Sequence, residues 1–400
     1  MNFVVFIFIL YICNVKSYKF RIYPTPKQTK VLNDTLFSCF KLYNTALEHR
    51  KEIYRISHKS VSCYEQQNEL PKLKEDFTEY TNIHSQVLQN VLNRVDLAFK
   101  GFFRRVKIKK DGRGFPRFKS LDRYDSFCFP QSGFEIKNNR IQLSKIGLIK
   151  IKLHRNIAVG SELKTCTIKR EGKQWYCVLV AETFDAIPKK VVVIDAIGID
   201  LGLTDFAVLS NGAEIKNPKY LKKSEAELKE TQSNYSKRKS KKVKRKLTKL
   251  HRLVANQRKD FQHKLSSTMV NAFDLIAYED LKIKQMIEDN KYNLQKHIND
   301  ASWGTFISML KYKAENAGKY CVAINPKGTT QKCSKCGTIV PKSLYVRLHN
   351  CTNCGFVASR DVNAALNIHK LGINLVDKSV CLPVIHSVFS PEAPSPLGNG

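Results

Sequence analysis

Near the C-terminal end of the chain two Cys-x2-Cys pairs, Cys333/Cys336 and Cys351/Cys354, stand fourteen residues apart. No other feature restricts the fold so tightly. Each pair can fold into a tight knuckle that aims two thiolates at one point, and Gly337 and Gly355 follow where the knuckles turn back. Two knuckles complete a closed four-thiolate zinc site, which holds structure and does no chemistry. The competing readings are four unligated core cysteines or a redox pair, and the paired spacing favours zinc. A zinc ribbon is therefore expected over about 327–358. Ribbons of this kind bind nucleic acid often and protein sometimes, so the site names no function by itself.

Twelve cysteines in 400 residues fall short of a disulfide scaffold, and Cys13, Cys39, Cys63, Cys128, Cys166, Cys177, Cys321 and Cys381 are scattered. Scattered cysteines suit a reducing compartment. The expected location is intracellular, cytoplasmic or nucleoid-associated.

Charge narrows the partner. Lys and Arg number 68 against 35 acidic residues, a net +33, while 42% apolar residues suffice for packed cores. The balance excludes a disordered or acidic chain and points to a polyanion, nucleic acid first and an anionic membrane second. The length fits two or three domains. One basic run, 237–252 (KRKSKKVKRKLTKLHR), contains no acidic residue to pair with. Lys237, Arg238, Lys241, Lys242, Lys244, Arg245 and Lys246 are its candidate phosphate contacts; the competing reading is a solvated helix face. A second, DGRGFPRFK at 111–119, places Arg113, Arg117 and Lys119 around Phe115 and Phe118, a mix that suits backbone contact and stacking. An ordinary solvated loop is the alternative there.

Residues 3–13 are continuously apolar, about half of a membrane span. No Lys or Arg precedes them and no small-residue cleavage site follows. Three readings stay open: a start codon called too early, with Val15 as the true start; a stray apolar extension; and a signal. No membrane partner is expected.

Along the rest of the chain, 18–23 alternates like a strand, and Thr25 caps a helix that opens on Pro26. Further helical stretches are expected over 62–79 and from Asn82. Residues 125–183 read as short strands with turns at 137–139 and 171–173, and 191–215 reads as two strands meeting a turn at Asn211-Gly212. A long basic helical stretch runs from about 217 to 272. Strands at 273–281 and 319–326 enclose a helix at 300–317.

Three acidic residues sit in apolar settings: Asp200 in IGIDLG, Glu279 in LIAYED and Asp361 in RDVNAALNIHK. Each alone is an ordinary cap or turn residue. Carboxylates from two strands and a helix, brought together, are what two hard cations need. Asp195, Asp205, Asp274 and Asp280 compete for the same reading.

These segments, in this order, resemble the TnpB family of insertion-sequence-encoded nucleases, relatives of type V CRISPR effectors. The resemblance covers about Tyr18 to Lys370. It is carried by KFRIYPTPKQ (19–28), GRGFPRFKS (112–120), GIDLGL (198–203), YEDL (278–281), the paired cysteines and SRDVNAALNI (359–368). It implies an α/β fold with a helical insertion: an RNase H-like (RuvC) nuclease domain at 190–370 with the zinc ribbon inserted. A β-barrel-like wedge domain at 18–185 precedes it and carries a helical recognition bundle at about 26–110. Segment 1–17 and a disordered tail at 371–400 fall outside the family pattern. The resemblance places catalysis on Asp200, Glu279 and Asp361, holding Mg²⁺, two ions with Mn²⁺ as a substitute. It implies a guide RNA from the mobile element and a double-stranded DNA target beside a short motif. The rival readings are a zinc-ribbon regulator that binds without cutting and a transposase that joins strands.

Overall fold

The computed structural model describes residues 14–108, 114–183, 188–289, 294–343 and 345–380. The chain divides near residue 186 into two compact units. Among the described residues, no helix is long and apolar enough to cross a membrane. Arg113 and the apolar segment 1–13 lie outside the described residues.

The N-terminal unit begins with β1 (Asn14–Tyr23), four residues earlier than the alternation predicts. Tyr18, Phe20 and Ile22 point inward at the period of two that a half-buried strand requires. Thr25 caps α1 (Pro26–Ser57) with a reciprocal pair of bonds: its hydroxyl accepts from the Gln28 N–H, and Gln28 Oε1 accepts from the Thr25 N–H. The stretch expected as one helix over 62–79 is broken into α2 (Cys63–Asn68), α3 (Leu70–Asp76) and a short 3-10 turn at Thr78–Asn82. Pro71 explains the break, because it cannot donate into a continuing helix. Helix α4 (Ser85–Lys107) buries Val87, Leu88, Val91, Leu92 and Val95 in one core with Leu32, Leu36, Cys39, Tyr43 and Leu47 of α1.

Six strands follow: β2 (Ser126–Phe129), β3 (Phe134–Lys137), β4 (Arg140–Leu143), β5 (Gly147–Lys152), β6 (Glu162–Glu171) and β7 (Gln174–Thr183). Asn138 and Asn139 both take positive φ, 43° and 58°, as a two-residue hairpin turn demands. The antiparallel order is β2-β6-β7-β1-β5-β4-β3. Strand β1 pairs with β7 over nearly its whole length and with β5 only at Arg21–Tyr23. Since β2 and β3 are the two ends of the order, hydrogen bonding does not close this sheet into a ring among the described residues.

The C-terminal unit is built on five strands in the order β10-β9-β8-β11-β12: β8 (Ala196–Leu201), β9 (Asp205–Leu209), β10 (Glu214–Lys216), β11 (Leu275–Glu279) and β12 (Tyr320–Ile324). β8, β11 and β12 run parallel, while β9 and β10 are antiparallel additions. The basic stretch between β10 and β11 contains α5 (Tyr220–Lys223), α6 (Glu225–Arg238) and α7 (Lys241–Ala272). It is not one helix: Lys239 turns left-handed at φ 45°, and α7 folds back on α6. After β11 come α8 (Ile283–Asp289), α9 (Gln295–Ala301) and α10 (Trp303–Asn316). Short strands β13 (Leu348–Asn350) and β14 (Val357–Ser359) precede α11 (Arg360–Val380).

Both faces of the sheet are covered, which is why every residue of β11 is buried. Ile276 and Tyr278 join Phe306 and Leu310 of α10 in one core. Ala277 packs on the other side with Ile368 of α11. Two glycines allow α11 to lie this close. A Cβ at Gly198 would stand 2.2 Å from the Ala365 carbonyl oxygen, and one at Gly372 would stand 2.4 Å from Ala277 Cβ. The helix also continues ten residues past the expected domain end at 370. Val376 is buried against Leu275 and Val193, so the first part of the expected tail is packed helix.

Candidate active site and zinc centre

Successive residues of a strand face opposite sides. Gly198 faces α11, so Asp200, two residues on, faces it too. Ala277 faces α11, and so does Glu279. The parallel register pairs Ala277 with Gly198 and Tyr278 with Ile199, the residues immediately before Glu279 and Asp200. Asp361 lies in the first turn of α11, above the same strand ends. Ser359 caps that helix by accepting from the Val362 N–H, and a carboxylate in the first turn suits the positive end of the helix dipole.

Asp200 feels the other two carboxylates. Burial pushes the Asp200 carboxyl well above its ordinary range. The charges of Glu279 and Asp361 push it further, while Arg360 and Arg347 pull it back. Burial also raises Glu279, which is 7% exposed, against a lowering hydrogen bond from the Thr329 hydroxyl. Asp361 is more open, with Arg360 Nε at 3.1 Å from Oδ1 and Arg347 Nη1 at 3.7 Å from Oδ2. Asp200 and Asp361 line a cavity of about 320 Å³ together with Trp303, Lys342, Arg347 and Arg360. Of the competing aspartates, Asp205 lines the same cavity, and both it and Asp274 are engaged by other partners. Asp274 accepts from the Ile194 and Asp195 N–H groups, and Asp205 pairs with Lys216 at 3.0 Å.

The cysteines form a tighter group. All four sulfurs lie within 4.8 Å of one another, the one His, Cys, Asp or Glu set among the described residues gathered this closely. Cys333 and Cys354 Sγ are 3.7 Å apart, and Cys336 and Cys351 Sγ 3.6 Å. Zn–S bonds of about 2.3 Å imply a tetrahedral edge of roughly 3.8 Å, while a disulfide would need about 2.05 Å. The two knuckles repeat one pattern. Cys333 N–H donates to Thr338 O and Gly337 N–H to Cys333 O; Cys351 N–H donates to Phe356 O and Gly355 N–H to Cys351 O. Hydrogen bonds with the Thr338 hydroxyl and N–H, and with Asn353, draw the Cys336 thiol down to about 5, while, against a lowering bond from the Phe356 N–H, burial and the other thiols push Cys354 up.

Of the candidate phosphate contacts, Lys237 and Arg238 end α6, while Lys241, Lys242, Lys244, Arg245 and Lys246 open α7. One expectation needs correction. Lys246 does have an acidic partner, Glu227 at 3.0 Å, because the α6–α7 reversal brings it there. Arg117 is exposed, and the Lys119 backbone is pinned by Asn44 through two bonds. Phe115 packs edge-on against Phe99 and Phe102, and Lys51 lies over the Phe118 ring. Sequence reasoning missed Arg347, Arg360, Lys342 and Thr329. Only Arg360, beside Asp361, carried a local signal.

The chain is similar to known proteins. Three family models match: "Helix-turn-helix domain" of the OrfB/IS605 group over residues 15–59, "Probable transposase" of that group over 176–290, and "Cas12f1-like, TNB domain" over 303–368. A Streptomyces pristinaespiralis protein named "Putative RNA-guided DNA endonuclease" is 33% identical over 371 residues, covering 90% of this chain and 89% of its own. The chain belongs to the TnpB family. Another relative, Escherichia coli K12 "Putative RNA-guided DNA endonuclease InsQ", is 27% identical and covers 90% of this chain and 92% of its own. A mimivirus "TnpB-like protein L79" is 32% identical over 194 residues, 44% of this chain and 37% of its own. In fold, this TnpB-family chain is similar to the Cas12f1 chain of a Cas12f1–sgRNA–target DNA complex, with a TM-score of 0.53 at 14% identity, covering 89% and 99% of the two chains. The region matched as helix-turn-helix folds here as β1 followed by the single long helix α1.

Proposed function

We propose that this TnpB-family protein is an RNA-guided, metal-dependent DNA endonuclease with a RuvC-type site at Asp200, Glu279 and Asp361. One observation carries the reading: two carboxylates on neighbouring parallel strands and a third on the overlying helix are electrostatically coupled at the strand ends. Family membership supports it. The relatives' names attach RNA-guided DNA cutting to proteins that match nearly end to end.

The donor set fits a hard divalent cation. Burial holds the Asp200 and Glu279 carboxyls up, a bound cation would relieve it, and Asp200, Glu279 and Asp361 would hold Mg²⁺. When bound, Mg²⁺ supplies Lewis-acid stabilisation to the attacking and leaving oxygens of a phosphodiester. Arg347, Arg360 and Lys342 line the cavity as cations for the phosphate backbone, and Trp303 walls it. The four thiolates would hold Zn²⁺ as a closed structural site.

In this scheme the residues from about 190 to the end of α11 form the nuclease with a zinc ribbon at 327–358, and the residues from β1 to about 185 form a wedge domain with a recognition insertion. Arg117, Lys119 and the basic residues of α6 and α7 contact an RNA–DNA duplex through its backbone, while guide pairing carries sequence. The test is purification from the native locus, sequencing of co-purifying RNA, and Mg²⁺-dependent cleavage of a matching plasmid. Linear plasmid is expected. Bound RNA with no cleavage would favour the binding regulator, and strand-transfer products would favour the transposase.

A further inference from the structure

We propose that Thr329 is a positioning residue for the Glu279 carboxylate, and that Asn363 and Asn367 of α11 hold it there by clamping residues 329–334. The proposal rests on the nuclease reading above. Glu279 ends its strand almost fully buried, and its Oε1 accepts a hydrogen bond from Thr329 Oγ1, fifty residues away in sequence and itself 3% exposed. The terminal torsion of a glutamate is broad, so burial alone does not orient the carboxylate plane. A hydroxyl aimed at one oxygen does, and leaves the other for a cation. The hydroxyl has a second acceptor, Pro326 O at 3.1 Å, but an anionic acceptor makes the stronger bond.

Thr329 is held in turn. Asn367 Nδ2 donates to Thr329 O at 2.8 Å and to Lys332 O at 2.7 Å. Asn363 Nδ2 donates to Lys332 O at 2.8 Å, and its Oδ1 accepts from the Ser334 N–H at 2.9 Å. Lys370 Nζ donates to Ser334 O. Asn363, Asn367 and Lys370 form one stripe of α11 at helical spacing. Cys333 lies inside the clamped segment, so the first zinc knuckle grows from it. One helix thus places two of the three carboxylates: Asp361 directly, and Glu279 through Thr329.

Full-length protein with its own guide RNA provides the test. Thr329→Val and Thr329→Ala remove the hydroxyl, and Thr329→Ser keeps it. Cleavage rate, Mn²⁺ binding by paramagnetic resonance, zinc content and RNA binding are measured for each. Loss of a hydrogen bond to a charged group should slow cleavage about tenfold or more and weaken Mn²⁺ binding by a similar order. Thr329→Ser should stay within about threefold of the parent, and zinc and RNA binding should not move. Wild-type cleavage and Mn²⁺ affinity in both hydroxyl-less variants would overturn the proposal, and so would a serine variant as impaired as valine. If the parent binds RNA but never cuts, the nuclease reading fails instead. The Mn²⁺ titration then decides: weaker binding in Thr329→Val supports the positioning role, and equal binding ends it.

Discussion

The C-terminal unit holds two clusters of ionisable side chains that differ in how they are assembled. The cysteine cluster draws on residues within a span of 22 and closes through local turns; its Cys333–Cys354 and Cys336–Cys351 sulfur pairs already sit near the edge length of a tetrahedral zinc site. The carboxylate cluster draws on residues 161 positions apart, and two strands and a helix must pack before it exists. Its members repel one another and are not gathered as closely as the thiolates. A local closed site tolerates error in the surrounding fold. A dispersed one depends on every contact that sets the distance between α11 and the sheet.

The sharpest way to break this contrast is to remove a carboxylate. Asp200→Ala should lower cleavage by roughly a thousandfold or more while RNA affinity stays within about twofold. Retained cutting would mean that the site lies elsewhere. Cys333→Ser comes next: zinc should fall from about one ion per chain toward none, and the ribbon should lose much of its folding energy. Metal analysis reading an unchanged zinc content would refute the four-cysteine assignment.

Gly198→Ala tests the dispersed site without touching a carboxylate. Its new methyl group must push α11 away, costing about 1–3 kcal/mol and slowing cleavage. Gly304→Ala in α10, with its nearest neighbour at 3.8 Å, should be neutral or slightly stabilising. Equal melting shifts for the two would show that the close approach at Gly198 does not matter. A smaller effect separates charge from structure. Asp200→Asn should raise the melting temperature of the metal-free protein. A carboxyl raised in the folded state weakens folding as pH climbs from its ordinary value of 3.8 toward its folded one, so the gain should grow over that window. Calorimetry showing no gain at neutral pH would deny the cost of burying that charge beside the other two.

The smallest effect concerns the basic hairpin. Lys242→Ala should reduce the salt slope of RNA binding by about one, and Lys246→Ala by less, since Glu227 already pairs with it. Identical slopes would erase that distinction.

Much of this was legible before folding. The helix cap at Thr25, the paired asparagines of the β3–β4 turn and the inward alternation of β1 follow from residue chemistry over a few positions. The breaks in the helices were harder. Pro71 gave a signal that the apolar spacing overrode, and the reversal at Lys239 gave none, because a lysine in a left-handed conformation is stabilised by the packing of α6 on α7. Arg347 and Thr329 were invisible for a similar reason. Neither belongs to a local pattern, and each matters only through a partner far along the chain.

The cysteine spacing at which the reading began determined, by itself, that four thiolates could converge, because the turns that bring them together lie between neighbouring residues. Sequence also determined the excess of positive charge and the identity of the carboxylates. Only the tertiary structure decided that Asp200, Glu279 and Asp361 share one face, that Lys246 is paired, and that α11 links the zinc segment to Glu279. Those relations depend on register and on the close helix–sheet approach allowed at Gly198 and Gly372, and distance in space between remote residues is not written in the order of the chain.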